Sequence, residues 1–92
     1  LADAIEFILD LDTDETLINI GSGDEISIND LAINIKKIIG YHGKLSYDEE
    51  KPDGNPRKLL DSSLINSLGW KSSTKLNDGL SKTFEWYRKN LV

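Results

Sequence analysis

Ser27-Ile28-Asn29-Asp30-Leu31-Ala32-Ile33-Asn34-Ile35-Lys36-Lys37-Ile38-Ile39-Gly40 is the stretch that decides the fold. Apolar residues at positions 28, 31, 32, 35, 38 and 39 recur every three to four residues, the period of one helix face. Ser27 and Asp30 have the S-x-x-D spacing of a capping box, in which a hydroxyl accepts an N–H left bare at the helix start. Lys36 and Lys37 suit the negative end of the helix dipole, and Gly40 can adopt the left-handed backbone that ends a helix. The spacing predicts a helix over Ser27 to Ile39.

On its N-terminal side, Thr16-Leu17-Ile18-Asn19-Ile20 is a short β-rich run that stops at Gly21-Ser22-Gly23, which predicts a strand. On its C-terminal side, Lys44 to Tyr47 predicts a second strand after the connector Tyr41-His42-Gly43. Strand, helix, strand in this order implies a right-handed parallel crossover. Two strands alone leave unpaired edges, so the pattern predicts support from further chain. Farther out, apolar residues at 1, 4, 5, 8 and 9 predict a helix over Leu1 to Leu9. Asp61 reads as the cap of a helix carrying Leu64, Ile65 and Leu68, ended by Gly69 before Trp70. After the polar linker Lys71 to Lys75, a last helix starts at Asn77 or Asp78. Leu80, Phe84, Tyr87 and Leu91 lie on one of its faces, with Thr83 beside them. The expected fold class is α/β: a small, mostly helical portion with a two-stranded parallel β-α-β unit followed by two helices.

Ninety-two residues suffice for one small domain, but a hydrophobic content of 38% is low for one that stands alone. The pattern opens inside a helix, with neither Met nor a capping residue, which predicts that Leu1 is a cut point within a longer chain. A net charge of −5 argues against a nucleic-acid binder, which needs a basic face to displace counterions. There is no Cys for disulfides or thiolate metal sites. No apolar run approaches a membrane span and no signal-peptide pattern is present, so the expectation is a cytosolic protein without a membrane partner.

Four motifs invite a chemical reading. Asp10, Asp12, Asp14 and Glu15 lack the central Gly and terminal Glu of a calcium loop and read as a solvated acidic connection. Gly21-Ser22-Gly23-Asp24-Glu25-Ile26 imitates a dinucleotide fingerprint. Ile26, however, stands where the third Gly belongs, and two acids would face the pyrophosphate, so it reads as a glycine turn. Tyr47 and Lys51 have Y-x-x-x-K spacing, but Pro52 pushes Lys51 away from helical geometry and the two would not share a face. His42, flanked by Gly43 and without a sequence partner, reads as solvent-exposed.

The remaining candidate is Lys51-Pro52-Asp53-Gly54-Asn55-Pro56-Arg57-Lys58. Pro52-Asp53-Gly54 has the chemistry of a turn: Pro fixes φ, Asp can bond the following backbone and Gly accepts positive φ. Pro56 forces Asn55 to be extended. Arg57 and Lys58, a planar fork and a point charge, suit a diphosphate, and Asp53 can accept from sugar hydroxyls or base N–H groups. The competing reading is a surface turn with ordinary charges. Trp70 and Trp86 read as packing residues, not ligand stackers.

Several of these pieces carry a resemblance. Leu1-Ala2-Asp3-Ala4, Ile18-Asn19-Ile20-Gly21-Ser22-Gly23, Asp61 through Leu68-Gly69-Trp70, and Asp78-Gly79-Leu80 through Trp86-Tyr87 look like the C-terminal portion of extended short-chain dehydrogenase/reductases that act on nucleotide sugars. Lys51-Pro52-Asp53-Gly54 followed by Pro56-Arg57-Lys58-Leu59-Leu60-Asp61 is similar to the loop of the GDP-L-fucose synthase family, where sister families carry an Arg-Pro-Gly-type loop. The resemblance covers nearly the whole chain. It implies a nucleotide-sugar-binding portion that contacts a GDP-sugar, with Asp53 on the sugar nucleotide and Lys58 near its diphosphate; Arg57 is a second candidate there. It implies a Rossmann domain upstream in the same chain that holds NADP(H) and the catalytic residues, none of which lie here. It also implies a homodimer for the intact enzyme and an inactive fragment.

Overall fold

The computed structural model describes residues 1–91. It contains four helices: α1 (Ala2–Leu9), α2 (Ile28–Ile39), α3 (Ser63–Ser67) and α4 (Leu76–Asn90). There is no β-strand among the described residues, so the α/β expectation with a two-stranded parallel β-α-β unit is corrected to an all-helical chain. A strand exists by hydrogen bonding to a neighbour, and Thr16 to Ile20 and Lys44 to Tyr47 belong to different compact units. The alternation in Thr16 to Ile20 is nonetheless real: Ile18 and Ile20 pack against a core while Leu17 is 78% exposed. β-type residues record a half-buried extended surface, and here the ladder is absent.

The chain divides into a first unit, Leu1–Glu25 with Arg57–Ser73, and a second, Ile26–Pro56 with the chain from Thr74 onward. In the first unit the core is Ala4, Ile65 and Trp70, flanked by Phe7, Ile8, Ile18 and Ile20. α1 turns Ala4, Phe7 and Ile8 toward this core and leaves Leu1, Ile5 and Leu9 exposed. The predicted stripe was therefore right in period and rotated in phase by the one aromatic on the helix. The capping position of α3 is Ser62, not the expected Asp61, and it makes no side-chain cap bond; Asp61 lies one residue earlier, where its Oδ1 accepts from the Ser63 N–H at 3.0 Å. Gly69 ends α3 at φ +115°, and a Cβ there would meet the Phe7 ring at 3.6 Å. Trp70, 8% exposed, is the core residue its spacing predicted.

In the second unit, Ser27 Oγ accepts from the Asp30 N–H at 3.1 Å and caps α2. Gly40 ends α2 in the left-handed region at φ 71°. α2 packs on α4. Ile28, Ile35 and Ile39 of the predicted stripe stay exposed. α4 begins at Leu76, ahead of the expected Asn77 or Asp78, with Lys75 at the capping position and no side-chain cap. Asp78 instead lies in the first turn, where the helix dipole favours an acid. Leu80 and Phe84 are half-buried, whereas Tyr87, Leu91 and Trp86 are exposed. No helix among the described residues is long and apolar enough to cross a membrane.

Candidate functional site

The Gly21-Ser22-Gly23 turn and the segment after Arg57 run alongside each other in the first unit. A Cβ on Gly21 would lie 3.5 Å from the Leu60 Cβ, and one on Gly23 would lie 3.9 Å from the Ser62 Oγ. Gly23 has φ +84°, and the Ser22 Oγ accepts from the Asp24 N–H at 3.2 Å, so the turn is closed locally. This brings Glu25, the last residue of the turn segment, to Arg57. Arg57 Nε donates to Glu25 Oε1 at 2.6 Å and Nη2 donates to Oε2 at 2.8 Å.

Both partners are solvent-exposed. Hydrogen bonding to the guanidinium holds the Glu25 carboxyl below the usual glutamate range, and the same bond raises Arg57. Two parallel bonds fix the plane of the guanidinium and tie Arg57, the residue before Lys58, to the glycine-turn segment. Lys58 is exposed and makes no ion pair among the described residues, so its ammonium remains available.

Beyond Lys58, residues 59 to 63 form one side of an open cavity of about 430 Å3, with Gly23 and Asn66 also in its lining. Its polar wall consists of Asp61, Ser62, Ser63 and Asn66, a set of acceptors and hydroxyls suited to sugar hydroxyl groups. The Asp61 carboxyl is held below the usual aspartate range by the hydrogen bonds of Ser63, the backbone N–H first, and stays ionised as an acceptor.

The predicted site residues are divided between the units: Arg57 and Lys58 fall in the first and Asp53 in the second. Asp53 is exposed. The Pro52-Asp53-Gly54 reading needs correction in one respect. Positive φ among the glycines occurs only at Gly23, Gly40 and Gly69, so Gly54 does not use it. The turn falls three residues earlier, over Asp48 to Lys51, where the Lys51 N–H reaches the Asp48 carbonyl at 3.3 Å and the Glu50 N–H reaches the Asp48 side chain at 3.1 Å. The Tyr47 hydroxyl donates to the Asn29 side-chain carbonyl. The sequence reading missed Glu25, which lies 32 residues from Arg57 with no local pattern linking them. It also missed Asn66 and the two serines of the cavity wall.

No family model matches the chain. It is 52% identical over 91 residues to GDP-L-fucose synthase 1 of Arabidopsis thaliana, covering 99% of this chain and 28% of that protein. It is 43% identical over 91 residues to a GDP-L-fucose synthase of Sinorhizobium fredii, covering 99% of this chain and 29% of the relative. Among solved structures, a GDP-mannoheptose C4 reductase of Campylobacter jejuni with NADP bound superposes with a TM-score of 0.77 at 36% identity, over 95% of this chain and 28% of that one. The chain thus spans somewhat over a quarter of the length of the relatives it matches.

Proposed function

We propose that this chain, a homologue of GDP-L-fucose synthases over nearly its full length, is the nucleotide-sugar-binding portion of such an enzyme. The intact protein, a cytoplasmic homodimer, converts GDP-4-keto-6-deoxy-D-mannose to GDP-L-fucose, epimerising two sugar carbons and then reducing the keto group. NADPH supplies the hydride for that reduction. The Gly21-Ser22-Gly23 turn does not fit this cofactor, because Glu25 is committed to Arg57 and Asp24 would face the pyrophosphate. By the likeness to GDP-L-fucose synthases, the cofactor and the catalytic residues belong to a Rossmann domain in the rest of the protein, and this chain's work is binding.

The observation that carries the reading is the unpaired Lys58 next to an Arg57 fixed by Glu25. A free cation next in sequence to a wall of hydroxyls and acceptors can take a diphosphate and its sugar together. The test is NADPH oxidation by the full-length protein with GDP-4-keto-6-deoxy-D-mannose as substrate. Turnover, inhibited better by GDP than by UDP, is the expected result. UDP inhibiting as well as GDP would move the reading to a sister sugar-nucleotide epimerase. The likeness to a GDP-mannoheptose reductase favours a second reading, a reductase of another GDP-linked keto sugar. That reading predicts GDP inhibition with turnover on the other sugar alone.

A further inference from the structure

The segment from Leu31 to Tyr47 holds three lysines and the chain's sole histidine but no acidic residue, in a chain with 16 Asp and Glu. It folds as most of α2 and the connector that follows. Together these line an open cavity of about 450 Å3, with Lys36, Lys37, Lys44 and His42 among its lining residues. No carboxylate belongs to the lining, and none of the three lysines forms an ion pair among the described residues.

The backbone explains how so much positive charge is gathered. Gly40 folds the chain back, and the Gly40 and Tyr41 N–H groups bond the Lys37 and Lys36 carbonyls at 3.2 and 3.0 Å. The negative end of α2 is thus partly closed by its own backbone, and lysines surround it. Lys36 is half-buried, which restrains its stem. The Tyr41 ring lies over Gly43, occupying the space a side chain there would need. That leaves an aromatic surface beside the lysines.

We infer that this cavity is a binding site for a nucleotide-class ligand, a phosphate group bearing a planar ring. Three unmatched ammonium groups call for a multivalent anion, and the Tyr41 ring with Ile33 and Leu45 offers a face for a planar apolar body. The volume lies within the range of small-molecule sites. The site shares no residue with the Asp53, Arg57 and Lys58 set and does not rest on the function proposed above.

The experiment is methyl NMR of the full-length protein, labelled at Ile and Leu and titrated with GDP. The Ile33 and Leu45 methyls are expected to shift saturably. In Lys36→Glu/Lys44→Glu their midpoint is expected to move by about tenfold or more for each ammonium lost. Leu59 and Leu60, beside Lys58, report separately on the sugar-nucleotide loop, so failure of either site is seen alone. Guanosine without phosphate should leave Ile33 and Leu45 in place. The inference is overturned if those two methyls do not move with GDP, or if sodium sulfate at equal ionic strength moves them as far. A hexaglutamate peptide binding there more tightly than GDP would also overturn it, in favour of an acidic protein partner.

Discussion

Glu25 and Arg57, 32 residues apart, meet through two parallel hydrogen bonds of 2.6 and 2.8 Å. The pair ties the glycine turn to the start of the segment that carries Lys58. Exposed ion pairs contribute little to global stability, because water and salt screen them. What a two-bonded pair does supply is orientation. Glu25→Gln is therefore expected to raise KM for the nucleotide sugar in the full-length enzyme while leaving Tm where it was. A fall in Tm with KM unchanged would assign the pair to folding instead of binding.

Acidity provides an independent handle on the same pair. The Glu25 carboxyl is held below its ordinary range chiefly by the Arg57 hydrogen bond. A depressed carboxyl pKa means that the pair's contribution is complete above the unfolded-state value, about pH 4.3 for Glu, and is lost as pH falls through the lower folded value. The Arg57 Nε–H resonance should stay constant from about pH 8 to pH 5 and move only in the acid range below the glutamate value. Movement centred near neutrality would show that a group other than Glu25 controls Arg57.

Lys58 carries the diphosphate contact in the proposed function. Lys58→Ala is expected to weaken nucleotide-sugar binding by about 1–3 kcal/mol, the range for losing a charge-assisted contact. Lys58→Arg keeps the charge and should recover part of the loss. If Lys58→Ala left the Michaelis constant unchanged, the contact would have to pass to another cation.

How much of this was legible in the sequence follows from the range of each interaction. The α2 boundaries were readable because Ser27, Asp30 and Gly40 act within four residues of where they stand. Asp61 and Gly69 marked α3 for the same reason. The β-α-β unit was misread because alternation reports burial of side chains such as Ile18 and Ile20, while pairing depends on distant chain that composition does not record. Arg57 reads as a ligand contact in sequence because a guanidinium beside a lysine suits a phosphate. Its carboxylate partner in the structure, Glu25, could be suggested only by complementary charge, and the chain offers 16 acids to choose from. The Gly54 error has another origin: Pro-Asp-Gly has the right chemistry for a turn, but Asp48 two residues before Glu50 closes one first.

Ile65 gives the sharpest stability test of the first unit. It is fully buried in a core of three buried residues, so little else can collapse into its place. Ile65→Ala should destabilise by about 2–5 kcal/mol, the range for truncating a buried aliphatic side chain. Ile65→Val removes one methylene and should cost about 0.5–1.5 kcal/mol. Denaturant unfolding of the full-length protein checks both. Equal, small effects would mean that this core unfolds outside the main transition.

Gly69 tests backbone conformation separately from packing. Its φ of +115° lies where side chains are strained, whereas the added Cβ would meet the Phe7 ring at an ordinary contact distance of 3.6 Å. Gly69→Ala should therefore destabilise through backbone strain of about 1–3 kcal/mol, and shrinking the neighbour with Phe7→Leu should not rescue it. The alternative is a steric clash, which Phe7→Leu would relieve. In a double-mutant cycle, strain predicts additive effects of the two substitutions, and a clash predicts strong coupling. Additivity would identify the end of α3, and so the placement of Trp70 behind it, as a requirement on φ that only glycine meets without strain.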